Sequence, residues 1–355
     1  MSRVKLSSIV KRFGDFTALH ELDLEIQEGE FLSLLGPSGC GKTTTLRLIA
    51  GFIQPTQGSI LLGDEDVTRV APQHREIGMV FQDYALFPHM TIAQNIGFGL
   101  QERRYPKAQI DERVKELLDL IHLSNVGDRY PAEVSGGQQQ RIAVARAVAY
   151  PPRVLLMDEP LGALDLKLRE TMQLELRRIQ QELKITTVYV THDQTEAMNM
   201  SDRIVVMNTG RIEQIGGAED IYNEPRTRFV ADFVGQINLL DGEILGSEGE
   251  FLMAQILGTK IRVPRVNGTE QGEVSIAVRP EHLHLLDNDA TDGDLNVIRG
   301  TLSGRTFAGN LTRLFVDVGD EKQIVIEARS QDAPRQMGTS INVGWQPADS
   351  RVLMK

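Results

Sequence analysis

Apolar and polar positions alternate with two different periods along the first part of the chain. Residues 1–35 contain short alternating runs and end in the apolar run EFLSLLG, a pattern typical of a buried strand. The next apolar segment, TTTLRLIAGF, has helical character, and strand patterns return in RVLLMDEP, TTVYVTHD and RIVVMNTG. The charged segment LKLRETMQLELRRIQQELK predicts a long helix. Strands that alternate with helices predict an α/β fold with a mainly parallel sheet.

Three later regions depart from this alternation. From about residue 86 to 150 the periodicity is helical, with IDERVKELLDLIHL and QRIAVARAVAY as amphipathic stretches, so we expect a helical insert. Residues 215–237 are expected to form a connecting segment. After Asn238, short alternating runs such as EVSIAVRP and LTRLFVDVG are separated by Gly, Asp and Asn turns, which predicts a small β-barrel or sandwich. We therefore expect one domain over 1–235 and an all-β domain over 236–355.

Composition and charge limit the possible functions. The 355 residues are 41% hydrophobic and 25% charged, which is typical of a soluble globular protein with about two domains. The net charge of −11 argues against a main role in holding nucleic acid, because that affinity comes largely from Lys and Arg. No apolar run approaches the roughly 18–20 residues that span a bilayer, so we expect a cytoplasmic location. Cys40 is the only cysteine, which excludes an intrachain disulfide.

The segment GPSGCGKTT, residues 36–44, is the most specific chemical signal in the chain. It follows a predicted strand and opens a predicted helix, the setting in which G-x-x-x-x-G-K-[ST] binds phosphate. Glycines at such positions let successive backbone N–H groups face the phosphates. A glycine-rich turn without a ligand is the alternative reading. The expected nucleotide-binding residues of this segment are Gly36, Pro37, Ser38, Gly39, Cys40, Gly41, Lys42, Thr43 and Thr44.

Four polar side chains complete the predicted chemistry of this segment. Lys42 supplies a positive charge to the outer phosphates, and the hydroxyl of Thr43 is placed to bind Mg²⁺. Asp158 ends the apolar strand VLLMD and is suited to hold the metal, directly or through water. Glu159 is suited to orient and deprotonate an attacking water. The alternative for this acidic pair is a solvated turn at a strand end.

The stretch EVSGGQQQRIAVARA, residues 133–147, contains a second glycine pair at the head of a predicted helix. Free N–H groups and the positive end of the helix dipole meet at such a position and favour phosphate. Ser135 could instead act only as the N-cap of the helix, because serine is a favoured cap. The chain thus contains two candidate phosphate sites but only one P-loop motif.

Six motifs, in the family's order, resemble those of the ATP-binding cassette ATPases over essentially all of residues 4–235. They are the P-loop at 36–43, FQDYALFPH with Gln82, VSGGQ at 134–138, VLLMDEP at 154–160, LGALD at 161–165 and THD with His192. The sequence departs from the family's commonest residues at Val134, where leucine is usual, and at Gly162, where serine is common. The resemblance implies a P-loop NTPase fold, with a RecA-like core and a helical subdomain at about 86–150, that hydrolyses ATP with Mg²⁺.

The resemblance also implies roles for residues within one subunit. Phe13 matches the aromatic that stacks on adenine, although it could instead be a core phenylalanine. Gln82 resembles the residue that reaches Mg²⁺ and the attacking water, and His192 resembles the switch histidine that contacts the γ-phosphate. The expected catalytic residues are Glu159, His192 and Gln82, and the expected metal ligands are Thr43, Gln82 and Asp158.

A homodimer follows from the same resemblance. In the family, the SGGQ segment of one subunit caps the γ-phosphate of ATP bound to the P-loop of the other subunit. Ser135, Gly136, Gly137 and Gln138 would then act on the nucleotide of the partner, and Asp165 would line the same interface. This implication accounts for two phosphate sites in a chain with one P-loop.

A chain of this family with no membrane span resembles the motor subunit of a transporter, at the cytoplasmic face of the membrane. Ala85, Leu86 and Phe87 are expected to help form a groove for a coupling helix of a separate permease, or else to pack internally. A solute-binding protein outside the membrane would be an indirect partner. We expect no nucleic-acid partner, although a cassette ATPase acting on nucleic acid or the ribosome is the alternative of another class.

The C-terminal region resembles the transport-associated, OB-like regulatory barrel of import ATPases, through RPEHLHLL and GWQPADSRVL. An oligonucleotide-binding barrel is the alternative, but only 5% of the chain is aromatic. DRYPAEVSGGQQQR and EARSQDAPRQMGTSINVGW look similar to ATPases of sulfate/thiosulfate importers. Sulfate is therefore the expected cargo, with polyamine, ferric iron and sugar as alternatives.

Overall fold

The computed structural model describes residues 2–162, 164–265, 271–286, 294–333 and 336–354. Ala163 of the LGALD motif and residues 334–335 of the segment similar to sulfate importers lie outside this description. The chain divides into two compact units, Met1–Glu219 and Asp220–Lys355. This division falls earlier in the chain than the expected domain boundary near 235, which stays a prediction.

The first unit consists of strands and helices that alternate after a β-hairpin. Its strands are β1 (Val4–Phe13), β2 (Phe16–Ile26), β3 (Phe31–Leu35), β4 (Gln57–Leu62), β5 (Glu65–Asp66), β6 (Ile77–Val80), β7 (Val154–Asp158), β8 (Thr187–Thr191), β9 (Arg203–Asn208) and β10 (Arg211–Gly216). Its helices are α1 (Lys42–Ala50), α2 (Ile92–Glu102), α3 (Lys107–Leu120), α4 (Gly136–Val148), α5 (Leu166–Leu183) and α6 (Gln194–Met200). Three of these helices, α2 to α4, occupy the region in which a helical insert was expected.

Two sheets form this unit. The larger one has the strand order β10-β9-β3-β8-β7-β6, and its strands are parallel except for β10, which runs antiparallel to β9. The prediction of a mainly parallel sheet is therefore confirmed. The smaller sheet, β2-β1-β4-β5, is antiparallel, and the sequence pattern did not separate it from the first.

The carboxyl ends of three central strands lie side by side in the larger sheet. Leu35 at the end of β3 pairs with Thr191 at the end of β8, and Asp158 at the end of β7 pairs with Val190. Ligands of open α/β sheets bind at this edge, beyond the carboxyl ends of the strands. The chain segments that follow β3, β7 and β8 are therefore brought together.

Both faces of the larger sheet are buried. Along β8, Tyr189 belongs to one apolar cluster, whereas Val188 and Val190 belong to another. Phe31 of β3 packs beside Tyr189, with ring centroids 5.7 Å apart. Because successive side chains of a strand point to opposite faces, this alternation indicates a sheet covered by packing on both sides.

A buried arginine fixes the far end of α1. Arg75 is fully buried, and its guanidinium donates to the carbonyl oxygens of Leu48 and Ile49 at 2.8 Å and to that of Val70 at 2.8 Å. The bonds to Leu48 and Ile49 add donors to carbonyl groups in the last turn of the helix, where the N–H of Gly51 also donates to Leu48 at 3.2 Å. Burial lowers the pKa of Arg75. The helix that follows the P-loop is thus held at its C-terminus by a residue from a distant segment.

The second unit is mostly antiparallel β structure. Where a connecting segment was expected, two short helices occur, α7 (Ala218–Asn223) and α8 (Arg228–Phe233). The strands are β11 (Asn238–Glu248), β12 (Phe251–Ile256), β13 (Thr259–Pro264), β14 (Gly272–Val278), β15 (His284–Leu286), β16 (Asn296–Ala308), β17 (Leu311–Gly319), β18 (Lys322–Arg329), β19 (Ser340–Trp345) and β20 (Ser350–Met354). They form two five-stranded sheets, β13-β12-β11-β14-β20 and β15-β19-β16-β17-β18.

One apolar core lies between these two sheets. Trp345 is fully buried in it, and its indole N–H donates to the Ser350 hydroxyl oxygen at 2.9 Å. The single tryptophan is therefore not available to stack on a base, as the oligonucleotide-binding alternative would require. Within the described residues of both units, no helix is long and apolar enough to cross a membrane.

Candidate active site

The loop between β3 and α1 requires glycine at two positions. A Cβ at Gly36 would lie 2.3 Å from the carbonyl oxygen of Met207, closer than real Cβ contacts allow. Gly41 has φ 109°, and a Cβ there would lie 2.6 Å from Cδ2 of Leu19. Gly39 has φ 81° with no neighbouring atom within 4 Å of a Cβ position, so the loop is open on that side. The backbone can therefore approach a ligand closely at this loop.

The first turn of α1 presents hydrogen-bond donors. Gly41 is the N-cap and has no side chain to accept from the N–H groups of this turn. The buried ammonium group of Lys42 donates to the carbonyl oxygens of Gly36 at 2.6 Å and of Pro37 at 3.0 Å. A positive charge thus lies inside the loop, beside the positive end of a helix. This arrangement fits a phosphate group.

Oxygen atoms suited to a magnesium ion lie next to this loop. The Thr43 hydroxyl donates to Oδ1 of Asp158 at 3.2 Å. Burial raises the pKa of Asp158, the hydrogen bond from Thr43 opposes that rise, and the charge of Glu159 adds to it. No group of three or more His, Cys, Asp or Glu side chains suited to a metal occurs in the described part of the chain. Mg²⁺ binds through one or two protein oxygens together with phosphates and waters, and the Thr43 hydroxyl and the Asp158 carboxylate are oxygens of that kind.

Glu159 and His192 form a close pair at the same sheet edge. Oε2 of Glu159 lies 3.2 Å from Nδ1 of His192, within hydrogen-bonding distance. Glu159 adopts φ 46°, which is uncommon for a residue other than glycine, and its N–H donates to the carbonyl oxygen of Val190 at 3.0 Å. The His192 side chain is 60% exposed and that of Glu159 24%. A carboxylate with access to solvent is therefore held in a constrained backbone conformation.

Gln82 is exposed and lies close to the turn that follows Glu159. Its amide nitrogen would lie 3.9 Å from a Cβ placed at Gly162, and the N–H of Gly162 donates to the carbonyl oxygen of Glu159 at 3.2 Å. Contacts of neighbouring residues thus link four segments predicted to form the site. These segments contain Thr43, Gln82, Asp158–Glu159 and His192.

The apolar residues after Gln82 divide between exposure and internal packing. Ala85 is exposed, whereas Leu86 packs against the core that includes α2 to α4. The ring of Phe87 lies 4.6 Å from that of Phe98. The alternative of internal packing therefore applies to Leu86 and Phe87, and Ala85 is the residue that remains exposed.

An arginine with no expected role in the site holds this segment. Arg146, in the last turn of α4, donates to the carbonyl oxygens of Tyr84 at 2.8 Å and of Ala85 at 2.6 Å. Both acceptor residues have positive φ, 60° and 46°. Burial lowers the pKa of Arg146, and its guanidinium lies 5.5 Å from the Phe87 ring centroid. No sequence motif signals this role, because the partners are backbone carbonyls of a distant segment.

Within the chain, Ser135 is an N-cap. Its hydroxyl oxygen accepts from the N–H of Gln138 at 3.4 Å, and its own N–H donates to Oε1 of Gln138 at 2.9 Å, which is a capping box. The capping alternative therefore describes Ser135 in the isolated subunit. Ser135 and Gly136 are nevertheless exposed, and the Ser135 hydroxyl retains a hydrogen with which to donate.

The SGGQ segment shares a surface with the segment around Asp165. A Cβ at Gly136 would lie 3.5 Å from Cδ2 of Leu164, and one at Gly137 would lie 3.0 Å from Cδ1 of Leu168. Asp165 is exposed and caps α5 by accepting from the N–H of Leu168 at 3.0 Å. These two predicted interface segments are therefore adjacent within one chain.

Phe13 lies at the tip of the first hairpin. It pairs with Phe16 across the turn, and its ring is 49% exposed, with Nζ of Lys11 4.7 Å from the ring centroid. Phe13 is therefore not a core phenylalanine, and its half-exposed ring carries the Lys11 ammonium group over one face.

A β-strand, a glycine-rich phosphate loop and a helix in this geometry define a P-loop NTPase. Comparison with known families agrees: residues 19–162 match the family described as ABC transporter, and residues 276–353 match the TOBE domain. The expected fold class, a P-loop ATPase with a C-terminal OB-like domain, is confirmed.

Relatives and solved structures extend this comparison. The spermidine/putrescine import ATP-binding protein PotA of Thermobifida fusca is 49% identical over 343 residues, covering 95% of this chain and 88% of the relative. The protein of the same name from Rubrobacter xylanophilus is 46% identical over 356 residues, covering 99% and 93%. The chain belongs to the family of ABC importer ATP-binding proteins.

Two similar structures cover about three fifths of the chain. One is a dimeric ATP-binding cassette in a post-hydrolysis state bound to ADP and phosphate, with a TM-score of 0.53, 33% identity and coverage of 61% of this chain and 98% of that one. The other, from Clostridium perfringens, is part of the ABC transporter complex cbiONQ, with a TM-score of 0.59, 28% identity and coverage of 62% and 90%.

Proposed function

We propose that this chain is the ATP-hydrolysing motor subunit of a polyamine importer, acting as a homodimer on a separate permease at the cytoplasmic face of the membrane. Relatives that cover 95% and 99% of the chain carry the name spermidine/putrescine import ATP-binding protein, which is the observation that supports polyamine. The expected sulfate cargo has no such support. The segments that suggested sulfate include the nucleotide-binding signature, which a motor subunit needs for any cargo.

Binding of ATP is assigned to the P-loop and Phe13. The N–H groups at the start of α1 and the ammonium group of Lys42 would hold the phosphates, while the exposed ring of Phe13 would stack on adenine. Lys42 would exchange its bonds to the carbonyls of Gly36 and Pro37 for phosphate oxygens. Thr43, Asp158 and Gln82 are the proposed ligands of Mg²⁺, which neutralises phosphate charge when bound.

Glu159 is the proposed general base. A carboxylate held at the sheet edge can accept a proton from a water as that water attacks the γ-phosphate. His192 lies 3.2 Å from Glu159 and would orient its carboxylate. Gln82, beside the turn that follows Glu159, would orient the same water from the other segment.

The site is proposed to be complete only in the dimer. Ser135, Gly136, Gly137 and Gln138 would face the γ-phosphate held by the partner's P-loop, since the exposed head of α4 carries the positive end of a helix. Asp165, which caps α5 next to this segment, would line the same interface. Closure of the dimer would then depend on ATP, and opening would follow hydrolysis.

The exposed residues Gln82, Asp83 and Ala85 are the proposed contact for the permease coupling helix, whereas Tyr84 between them is buried. Because Gln82 is also a proposed magnesium ligand, a displacement of this segment by the permease would move Gln82 relative to the reacting groups. A solute-binding protein outside the membrane would deliver the polyamine to the permease and would contact this subunit only indirectly.

Uptake in reconstituted vesicles tests this function. The chain is assembled with the membrane and solute-binding proteins that co-purify with it, and uptake of labelled spermidine and labelled sulfate is measured with ATP inside. We expect uptake of spermidine with the wild-type chain and none with Glu159→Gln. Sulfate uptake without spermidine uptake would overturn the proposed cargo but leave the proposed motor intact.

A further inference from the structure

Arg169, in the first turns of α5, contacts two segments of the proposed site. One nitrogen of its guanidinium donates to the carbonyl oxygen of Leu164 at 3.0 Å, and another donates to Oδ2 of Asp193 at 3.1 Å. Leu164 immediately precedes the predicted interface residue Asp165, and Asp193 immediately follows His192. A single side chain therefore joins the interface segment to the segment of the switch histidine.

Asp193 is itself fixed by its other oxygen. Oδ1 accepts from the N–H groups of Thr195 at 2.8 Å and Glu196 at 3.2 Å, which caps α6. The N–H of Asp193 donates to the Thr191 hydroxyl oxygen at 2.9 Å. Asp193 thus uses one oxygen for its helix and the other for Arg169, so the two contacts do not compete.

A buried carboxylate lies behind this contact. Glu196 is 3% exposed, and its Oε2 accepts from the hydroxyl groups of Tyr189 and Thr191, each at 2.7 Å. Its Oε1 lies 3.8 Å from Nε of Arg169, and this Nε has no hydrogen-bond partner. Because a buried charge is costly without a partner, Arg169 also serves as the nearby cation for Glu196.

These contacts form a chain of residues that begins and ends at Glu159 in the proposed active site. Glu159 lies 3.2 Å from His192, whose neighbour Asp193 is bound by Arg169. Arg169 in turn binds Leu164, a few positions after Glu159 in the chain. A displacement of the interface segment therefore changes the position of Glu159 by two routes, along the chain and through Arg169 and His192.

We propose that Arg169 is a positioning residue that couples the interface segment Leu164–Asp165 to the Glu159–His192 pair, so that closure of the dimer sets the geometry of hydrolysis. The inference rests on the proposed roles of Glu159 and His192. Arginine suits this task because its planar fork holds two acceptors in fixed directions, which the single ammonium group of lysine does not.

The test compares steady-state ATP hydrolysis of variants in the full-length protein. Arg169→Gln is expected to lower kcat by about 10–100-fold, since small displacements of reacting groups carry losses of this order. The KM for ATP and the Kd of a fluorescent ATP analogue are expected to change less than about twofold, because Arg169 contacts none of the P-loop residues. Arg169→Lys is expected to recover only part of kcat.

Arg178 provides a matched control on the same helix. It bonds to two carboxylates, Glu175 and Glu182, and to the carbonyl oxygen of Leu120, but to no segment of the proposed site. Arg178→Gln is expected to keep kcat within about twofold of the wild type. A loss of kcat in Arg178→Gln equal to that in Arg169→Gln would overturn the assignment.

A double-mutant cycle tests whether the effect passes through Asp193. Asp193→Asn keeps a favoured cap for α6 but removes the charge that binds Arg169. If the pair acts as one unit, the double variant Arg169→Gln/Asp193→Asn loses no more kcat than the more damaging single variant. A loss of kcat in the double variant equal to the product of the two single losses would overturn the proposal. If Arg169→Gln does not fold, the loss of kcat in Asp193→Asn alone tests the same contact, and an unchanged kcat there would overturn the proposal.

The Glu159→Gln variant distinguishes a failure of the proposed function from a failure of the Arg169 proposal. Near-normal turnover in that variant would contradict the proposed function of Glu159. A large loss in Glu159→Gln together with unchanged kcat in Arg169→Gln and Arg169→Lys would contradict the Arg169 coupling alone.

Discussion

Arg146 donates to the carbonyl oxygen of Ala85 at 2.6 Å, and this bond ties the helix headed by SGGQ to the exposed residue after Gln82. The guanidinium also binds the carbonyl of Tyr84 and lies against Phe87. The proposed permease contact is thus attached to the helix whose first turn is proposed to face the partner subunit. Movement of that helix on dimer closure would be passed directly to the permease segment.

This attachment predicts that Arg146→Lys uncouples transport from hydrolysis. Lysine keeps the charge but cannot bind both carbonyls in the same geometry, so we expect spermidine uptake per ATP hydrolysed to fall about 10-fold. Uptake and hydrolysis are measured in the same vesicles. Arg141→Lys, on the same helix and bound to the carbonyl of Ile121, is the control and should keep the wild-type ratio. An unchanged ratio in Arg146→Lys would remove this residue from the coupling route.

Glu159→Gln tests the proposed general base. Loss of the proton acceptor is expected to lower kcat by about 10²–10⁴-fold while ATP still binds, so the variant should accumulate as a closed dimer with ATP. Hydrolysis is measured by phosphate release and assembly by size-exclusion chromatography. A variant that turned over at nearly the wild-type rate would show that another group accepts the proton.

The reactivity of Cys40 tests its environment in the P-loop. Burial raises the pKa of its thiol, and this effect exceeds the opposing charge of Lys42. Because the thiolate is the reactive form, the rate of alkylation should still rise with pH above about pH 9.5, where an ordinary thiol of pKa about 8.5 is mostly ionised and approaches its plateau. The rate is followed with a maleimide by mass spectrometry, with Cys40→Ser as the unreactive control. A plateau below pH 8 would show a lowered pKa instead.

Arg75 should matter for stability rather than for chemistry. Arg75→Met removes a donor from the carbonyls of Leu48, Ile49 and Val70, of which Leu48 also accepts from the N–H of Gly51, so we expect the free energy of unfolding of the first unit to fall by about 3 kcal/mol. Urea unfolding measures the change. Arg69→Met, at an exposed neighbour, should stay within about 0.5 kcal/mol of the wild type. Equal effects of the two substitutions would contradict the capping role.

The sequence predicts the contiguous parts of the site well. The P-loop from Gly36 to Thr44 and the pair Asp158–Glu159 are each defined by a short motif on a periodic element, so their positions follow from the pattern. The parallel order of β3, β7 and β8 then brings these segments and His192 to one edge. The separate antiparallel sheet was missed because alternation within a strand does not specify its partner.

Contacts between distant segments are not encoded in a local pattern. Arg75 and Arg146 each bind backbone carbonyls of a distant segment, and Arg169 binds the carboxylate of Asp193, 24 residues away, so no sequence motif marks the partner. Both roles of Ser135, a cap within its own chain and a proposed ligand of the partner's nucleotide, are expectations from the sequence, and the structure adds the capping box. The relatives favour polyamine, an alternative from the sequence, over the expected sulfate, because the motor's motifs serve hydrolysis, which is common to importers of different solutes.

Complementation between two inactive variants tests the composite site most directly. Lys42→Ala removes the ammonium group that would hold phosphate, and Ser135→Arg blocks the site of the partner while leaving the P-loop of its own chain intact. Neither variant alone should hydrolyse ATP. A mixture of the two contains heterodimers with one site in which Lys42 and Ser135 are both present, so we predict hydrolysis well above the sum of the separate variants. Activity of the mixture no greater than that sum would contradict a site shared between subunits.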